Sequence, residues 1–196
     1  MGKIFLLMGK STSGKDTIYK YLIQDEELGL KKIVPYTTRP MRDGEKDGAE
    51  YYFKNEQEYQ QLKDAEKIIE ERTYHTKYGE WRYFTVDDGQ IDLAKGDYLV
   101  IGTLESYCSF RDYFGQEIVA PVLINVDTKI RLHRALDRED KQENPKYDEM
   151  CRRFLADEED FSEDKISEAG VTRRFNNNDD VQSCISEIRS FIQNNK

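Results

Sequence analysis

The sequence predicts an α/β protein: a parallel sheet covered by helices on both faces, with a β-rich insertion. Three observations predict it. Short apolar runs alternate with helix-period patterns along the chain. The first run, Ile4-Phe5-Leu6-Leu7-Met8, opens directly into a glycine-bounded loop. Residues 35–95 then break the alternation with tyrosine-rich, strand-like pieces. At 196 residues the chain is long enough for one domain with a real core.

Taken in order, residues 4–8 read as a buried strand. A helix should begin at Asp16 or Thr17 and run to about Gln24, with Ile18, Tyr21 and Leu22 in its apolar pattern. Residues 32–34 read as a short strand. Inside the insertion, 50–53, 67–74 and 81–85 read as strand pieces and 56–63 as a helix. The alternation resumes with a strand at 98–101, a helix at 105–114, a strand at 118–126 and a helix at 129–138. Residues 139–149 are polar and contain Pro145, which predicts a mobile loop ahead of a further helix. Val181, Ile185, Ile188 and Ile192 lie at helical spacing and read as core packing of a last helix. In a sheet of this kind ligands sit at the carboxyl ends of the strands.

Composition narrows the function classes. With 37% apolar and 35% charged residues of interspersed sign, the chain reads as soluble and globular. A net charge of −9 argues against general nucleic-acid binding, although a local arginine cluster can still hold phosphates. Cys108, Cys151 and Cys184 are odd in number and lack paired metal-ligand spacing, as expected of reduced, mostly packed thiols in a cytoplasmic protein. The apolar run after Lys3 is too short for a secretory signal or a membrane span.

The chemistry begins at Gly9-Lys10-Ser11-Thr12-Ser13-Gly14-Lys15-Asp16-Thr17. A strand, a GxxxxGK loop and a helix N-terminus form a cradle for nucleotide phosphates. Backbone N–H groups point inward, the helix end adds positive potential, and Lys15 reaches the outer phosphates. Gly9, Ser11, Thr12, Ser13, Gly14, Lys15, Asp16 and Thr17 are therefore the expected ATP-binding residues. The position after the lysine, usually a Ser or Thr on Mg²⁺, is Asp16, with Thr17 one step later. A second phosphate site is expected in Tyr36-Thr37-Thr38-Arg39-Pro40-Met41-Arg42-Asp43-Gly44-Glu45-Lys46-Asp47-Gly48, followed by Tyr51-Tyr52-Phe53. Arg39 and Arg42 can converge on one phosphate with Tyr51 as a further donor. Gly44 and Gly48 would let the chain fold around it; the competing reading is a solvated loop with ordinary surface arginines.

Together the phosphate loop, the TTRxxRxGExxG…Y segment, Ile69-Glu70 with Tyr78-Gly79, and Arg134-x-x-x-Arg138 resemble the guanylate kinase family over essentially the whole chain. The resemblance implies a P-loop nucleoside monophosphate kinase. Its parallel-sheet CORE would span 1–34, 96–138 and 150–196, its NMP-binding subdomain 35–95, and its closing LID about 139–149. It implies ATP-dependent phosphoryl transfer to a nucleoside monophosphate, GMP to GDP, with Mg²⁺ and ATP. GMP or dGMP is the expected acceptor, with no nucleic-acid or membrane partner. Carried over by position, Arg39, Arg42, Tyr51 and Tyr78 are the acceptor-phosphate ligands, and Glu70 is the carboxylate that reads guanine N1–H and the 2-amine. Arg134, Arg138 and Arg153 are the LID arginines that join Lys15 in catalysis. The adenine contact falls to the Phe175-Asn176-Asn177-Asn178 turn.

Arg131, Arg134 and Arg138 share one face by their spacing, where Asp137 and Glu139 make a solvated ion-paired surface the competitor. Of adjacent Arg152 and Arg153, at most one should face the site. His75 and His133 read as surface or packing residues. An anionic acceptor phosphate needs no general base, so catalysis reduces to positioning and charge neutralisation.

The chain departs from the family at the base. Pro35 replaces the usual Ser, Glu80 follows Tyr78-Gly79 where a small hydroxyl is common, and Val100-Ile101-Gly102-Thr103 lacks the usual carboxylates. Glu70 is left with fewer helpers. Asp16 is the candidate metal ligand in place of those carboxylates; its alternative role is to favour the first helical turn through the macrodipole. Two other classes remain open: a ribose 1,5-bisphosphate phosphokinase, which can carry Gly-Lys-Asp in the loop, and a non-catalytic binding module.

Overall fold

A computed structural model describes residues 1–42, 44–76 and 79–196. Strand β1 (Ile4–Met8) leads into α1 (Lys15–Gln24) and then β2 (Lys31–Lys32). The insertion carries β3 (Tyr36–Thr37), β4 (Tyr52–Phe53), α2 (Glu56–Asp64), β5 (Ile68–Thr76) and β6 (Gly79–Val86). The chain returns through β7 (Tyr98–Ile101), α3 (Leu104–Phe114), β8 (Val119–Asn125) and α4 (Thr128–Glu139). It ends with α5 (Tyr147–Asp160), α6 (Glu163–Glu168), β9 (Arg174–Asn176) and α7 (Val181–Asn194).

Two sheets result. The larger has the order β2-β7-β1-β8-β9, and every pairing in it is parallel. Its central strand explains the unbroken apolar run: all five β1 residues are fully buried, with successive side chains on opposite faces. Ile4, Leu6 and Met8 meet Tyr107 and Phe110 of α3 and Ile166 of α6. Phe5 and Leu7 meet Ile18 and Leu22 of α1 and the Ile185, Ile188, Ile192 stripe of α7. Each such side chain contributes about 1.5–3 kcal/mol by leaving water, so truncating Leu6 to Ala should cost about 2–5 kcal/mol. The smaller sheet, β4-β3-β6-β5, lies wholly within the insertion and has its own core of Tyr36, Tyr59, Phe84 and Val86.

Several boundaries differ from the sequence expectation. Helix α1 begins at Lys15, one residue early, because left-handed Gly14 (φ 91°) closes the loop directly before it. The strand expected at 50–53 is only Tyr52–Phe53, since Gly48 and Tyr51 close a tight turn. Between α4 and α5 only residues 140–146 are non-helical, and α5 starts two residues after Pro145. Helix α6 was not expected, and the stretch at 175–178, read as a turn, begins as edge strand β9.

Candidate active site

The phosphate loop forms at the carboxyl end of β1, where the sheet commits the backbone to a sharp reversal. Two glycines are there of necessity. A Cβ on Gly9 would lie 2.7 Å from the Ile124 carbonyl oxygen, and one on Gly14 would lie 2.5 Å from Asn177 Nδ2. Thr12 takes a positive φ of 61°, unusual for a non-glycine. Its hydroxyl donates to the Ser11 carbonyl at 2.6 Å and the Arg131 carbonyl at 3.0 Å. Lys15 curls under the loop and donates to the Gly9 and Lys10 carbonyls at 2.5 and 3.1 Å. Burial holds its ammonium below the ordinary lysine pKa; Asp157 and Asp16 oppose the shift, while Arg131 and Arg138 add to it. Asp16 itself is exposed on the first turn of α1.

Three residues that the sequence reading did not assign to this loop hold it. Asn177, nearly fully buried, donates from Nδ2 to the Ser13 carbonyl at 2.8 Å. Arg131, for which a solvated ion-paired face was the competing reading, is 1% exposed. It donates from Nε to the Ser11 carbonyl at 3.1 Å and from Nη1 to Glu158 at 2.5 Å, under the ring of Phe154. Asp157 accepts the Ser11 backbone N–H at 2.7 Å, so a carboxylate stands at a loop amide. Lys10 pairs with Glu158 at 2.6 Å. An arginine that packs as core shows no sign of it in its own sequence neighbourhood, because its partners lie on α5.

The expected LID arginines separate. Arg134 does not line the cavity that holds Arg138 and Arg153; its Nη2 donates to the Asn177 and Asn178 carbonyls at 3.0 and 3.2 Å, so it braces the turn that carries Asn177. Arg138 and Arg153 do line one cavity of about 550 Å³ together with Ser11 and Thr12. Glu149 at its rim pairs with both Arg152 and Arg153, which pulls its carboxyl down to about 2.

On the acceptor side Arg39 is 3% exposed and held by a bidentate pair with Glu45, at 2.8 and 2.7 Å. It lies against the rings of Tyr51 and Phe53. The same Glu45 accepts the Arg42 backbone N–H at 2.7 Å, and these donors hold its carboxyl down to about 2. Arg42's side chain is exposed beside this turn. Burial raises the Tyr51 phenol above its ordinary value. Tyr78 lies outside the described residues.

Glu70 reaches the site through an irregularity in the β5–β6 ladder between Ile68 and Glu70. Ile69 joins the main core while Glu70 is buried among polar groups. Its two carboxylate oxygens accept from Thr85 Oγ1 at 3.0 Å and Ser106 Oγ at 3.1 Å. Ser106 sits in the first turn of α3, capped by Thr103, whose Oγ1 accepts the Ser106 N–H at 3.2 Å. Where carboxylates were missed, Thr103 caps the helix whose Ser106 hydroxyl holds Glu70. Glu80 turns elsewhere, pairing with Arg82 at 2.8 Å and His75 at 3.1 Å.

Known proteins resemble this chain along its whole length. A guanylate kinase family profile matches residues 1–85. The guanylate kinase of Caldanaerobacter subterraneus subsp. tengcongensis is 26% identical over 196 residues, covering 97% of this chain and 86% of that protein. That of Porphyromonas gingivalis is 26% identical over 98% of this chain and 97% of its own. The chain is similar to guanylate kinases over nearly its whole length. The crystal structure of guanylate kinase from Anaplasma phagocytophilum shares its fold, with a TM-score of 0.65 and 20% identity over 98% of this chain and 85% of that one. The profile's span takes in the phosphate loop, Arg39, Arg42 and Glu70, and ends before α3, α4 and α5.

Proposed function

We propose that this chain transfers the γ-phosphoryl group of ATP to the phosphate of a nucleoside monophosphate, GMP to GDP, as an enzyme. One observation carries the reading: the loop around Lys15 and a separate cationic centre at Arg39 occur with a buried carboxylate, Glu70. A phosphate oxygen of GMP forms the new bond to the γ-phosphorus, the bond to the β,γ-bridging oxygen breaks, and ADP leaves. No proton needs removal from an anionic acceptor, so the residues act by holding and neutralising charge.

The loop fits the ATP phosphates. Its glycine positions leave no room for a Cβ, and one of its amides already holds a carboxylate. Bound phosphates would keep the buried Lys15 charged. Arg138 and Arg153 are assigned to the transferring oxygens, and Arg39, Arg42, Tyr51 and Tyr78 to the acceptor phosphate. Arg134 keeps a positioning role. Mg²⁺ fits the single exposed carboxylate of Asp16 combined with nucleotide phosphates, the mixed oxygen set this ion prefers. When bound it would neutralise charge on the phosphate oxygens. No described helix is long and apolar enough to cross a membrane; a cytoplasmic setting belongs to the same proposal.

An acceptor screen tests it. ADP release is followed with GMP, dGMP, AMP, UMP and ribose 1,5-bisphosphate. GMP and dGMP should accelerate it, with AMP and UMP inert. Acceleration by the sugar phosphate alone would hand the site to the second reading, which Gly14-Lys15-Asp16 favours. No thermal shift with ATP and Mg²⁺ would leave only a binding module.

A further inference from the structure

The base pocket holds a charged donor that the reaction described so far does not use. Arg72 lies two residues beyond Glu70 on β5, so both side chains fall on the same face of the strand. Its Nε stands 3.3 Å from Glu70 Oε2, with the Arg72 side chain 22% exposed and that of Glu70 4%. The Nε is buried and makes no hydrogen bond, because it is misaligned with the carboxylate it neighbours. A buried guanidinium N–H without an acceptor is costly unless a ligand completes it. The Arg72 charge also acts on the Tyr51 phenol, which places it toward the acceptor-phosphate side.

This puts a cationic donor beside two acceptor oxygens whose orientation is fixed by Thr85 and Ser106. The matching ligand edge offers an acceptor next to donors. A 2-amino-6-oxopurine does so: the 6-oxo group accepts, while N1–H and the 2-amine donate. Adenine reverses the pattern at both central positions, setting its 6-amine against the guanidinium and its bare N1 against the carboxylate. Pro35 has no side-chain donor to offer the 6-oxo group, and Glu80 is engaged on the hairpin surface.

We propose that Arg72 is a specificity-determining residue that donates to the 6-oxo group of the acceptor base, next to Glu70. The proposal rests on the nucleotide reading above. A charged donor on a purine edge discriminates by about ten- to a hundredfold.

The test compares GMP with 2-aminopurine riboside 5′-monophosphate, which keeps the 2-amine but lacks the 6-oxo group and the N1 proton, in the parent and in Arg72→Met. The lost N1–H contact with Glu70 is common to both enzymes, so the change in ratio reports Arg72. The parent should prefer GMP by at least about tenfold in kcat/KM, and Arg72→Met should cut that preference about tenfold by losing GMP activity, leaving the part due to Glu70 and N1–H. Arg72→Lys should restore part of it. If Arg72 served only as the counter-ion of Glu70, both nucleotides would fall together and the ratio would hold, which overturns the proposal. Should Arg72→Met fail to fold, the parent ratio decides: no preference for GMP overturns it. Turnover of GMP with an unmoved ratio sinks Arg72 alone. Turnover of ribose 1,5-bisphosphate with no nucleotide active sinks the nucleotide reading and this proposal with it.

Discussion

The phosphate loop draws its cradle from one contiguous run, Gly9 to Thr17, whereas the pocket around Glu70 is assembled from β5, β6 and the first turn of α3. In the loop most recognition groups are backbone amides, so what must be kept is conformation: two glycines and a lysine. In the pocket the groups are side chains, and one hydroxyl or guanidinium can stand where another is absent. That difference accounts for a loop that keeps its spacing and a pocket where Pro35 and Glu80 offer Glu70 no hydroxyl yet Thr85 and Ser106 fix its carboxylate.

The largest expected effect breaks the loop side. Lys15→Met should lower kcat about 10²–10³-fold, the scale of removing one preorganised charge-stabilising donor. It should also melt higher than the parent at neutral pH. With the folded-state pKa of Lys15 held below 10.5 by burial, the unfolded chain binds more protons in the interval between, and parental stability rises with pH there. The gap in melting temperature between variant and parent should therefore close as pH approaches 10.5. Melting curves from pH 7 to 10.5 check it.

Next in size is Arg39→Met, which should reduce kcat/KM for the acceptor about ten- to a hundredfold while the KM for ATP holds. A fall in both would show that the two halves are not independent. A carboxyl-carbon NMR titration sharpens the same point: Glu45 should titrate near 2 in the parent and move back toward 4.5 once Arg39 is removed. Below these comes Ser106→Ala. It loosens one oxygen of Glu70 and should raise the GMP KM about three- to tenfold, with kcat little changed. Smallest is Asp157→Asn, which removes the carboxylate charge from the Ser11 amide. Because that charge competes with phosphates, the variant should bind ATP about threefold tighter in calorimetry.

The contrast between the regions also sets what could be read from sequence. The loop, the strand before it and the α7 stripe are local patterns, and they appear where expected. The two- and three-residue strands β2, β3 and β9 are too short to carry a period, and their pairing comes from distant partners. Ser106 meets Glu70 across 36 residues and Thr85 meets it across 15, so neither hydroxyl announces its role locally. The helical spacing of Arg131 put it on one face with Arg134 and Arg138, which left either a site arginine or a solvated ion-paired one. Only the packing of α5 against α4 makes it a buried brace for Ser11.

A single-turnover reaction with γ-³²P-labelled ATP, excess enzyme and GMP tests the central claim most directly, by chromatographic identification of the labelled product. The account predicts that the label leaves ATP and appears in GDP, one GDP per ADP formed. Label found only as inorganic phosphate, with GMP recovered unchanged, would contradict it.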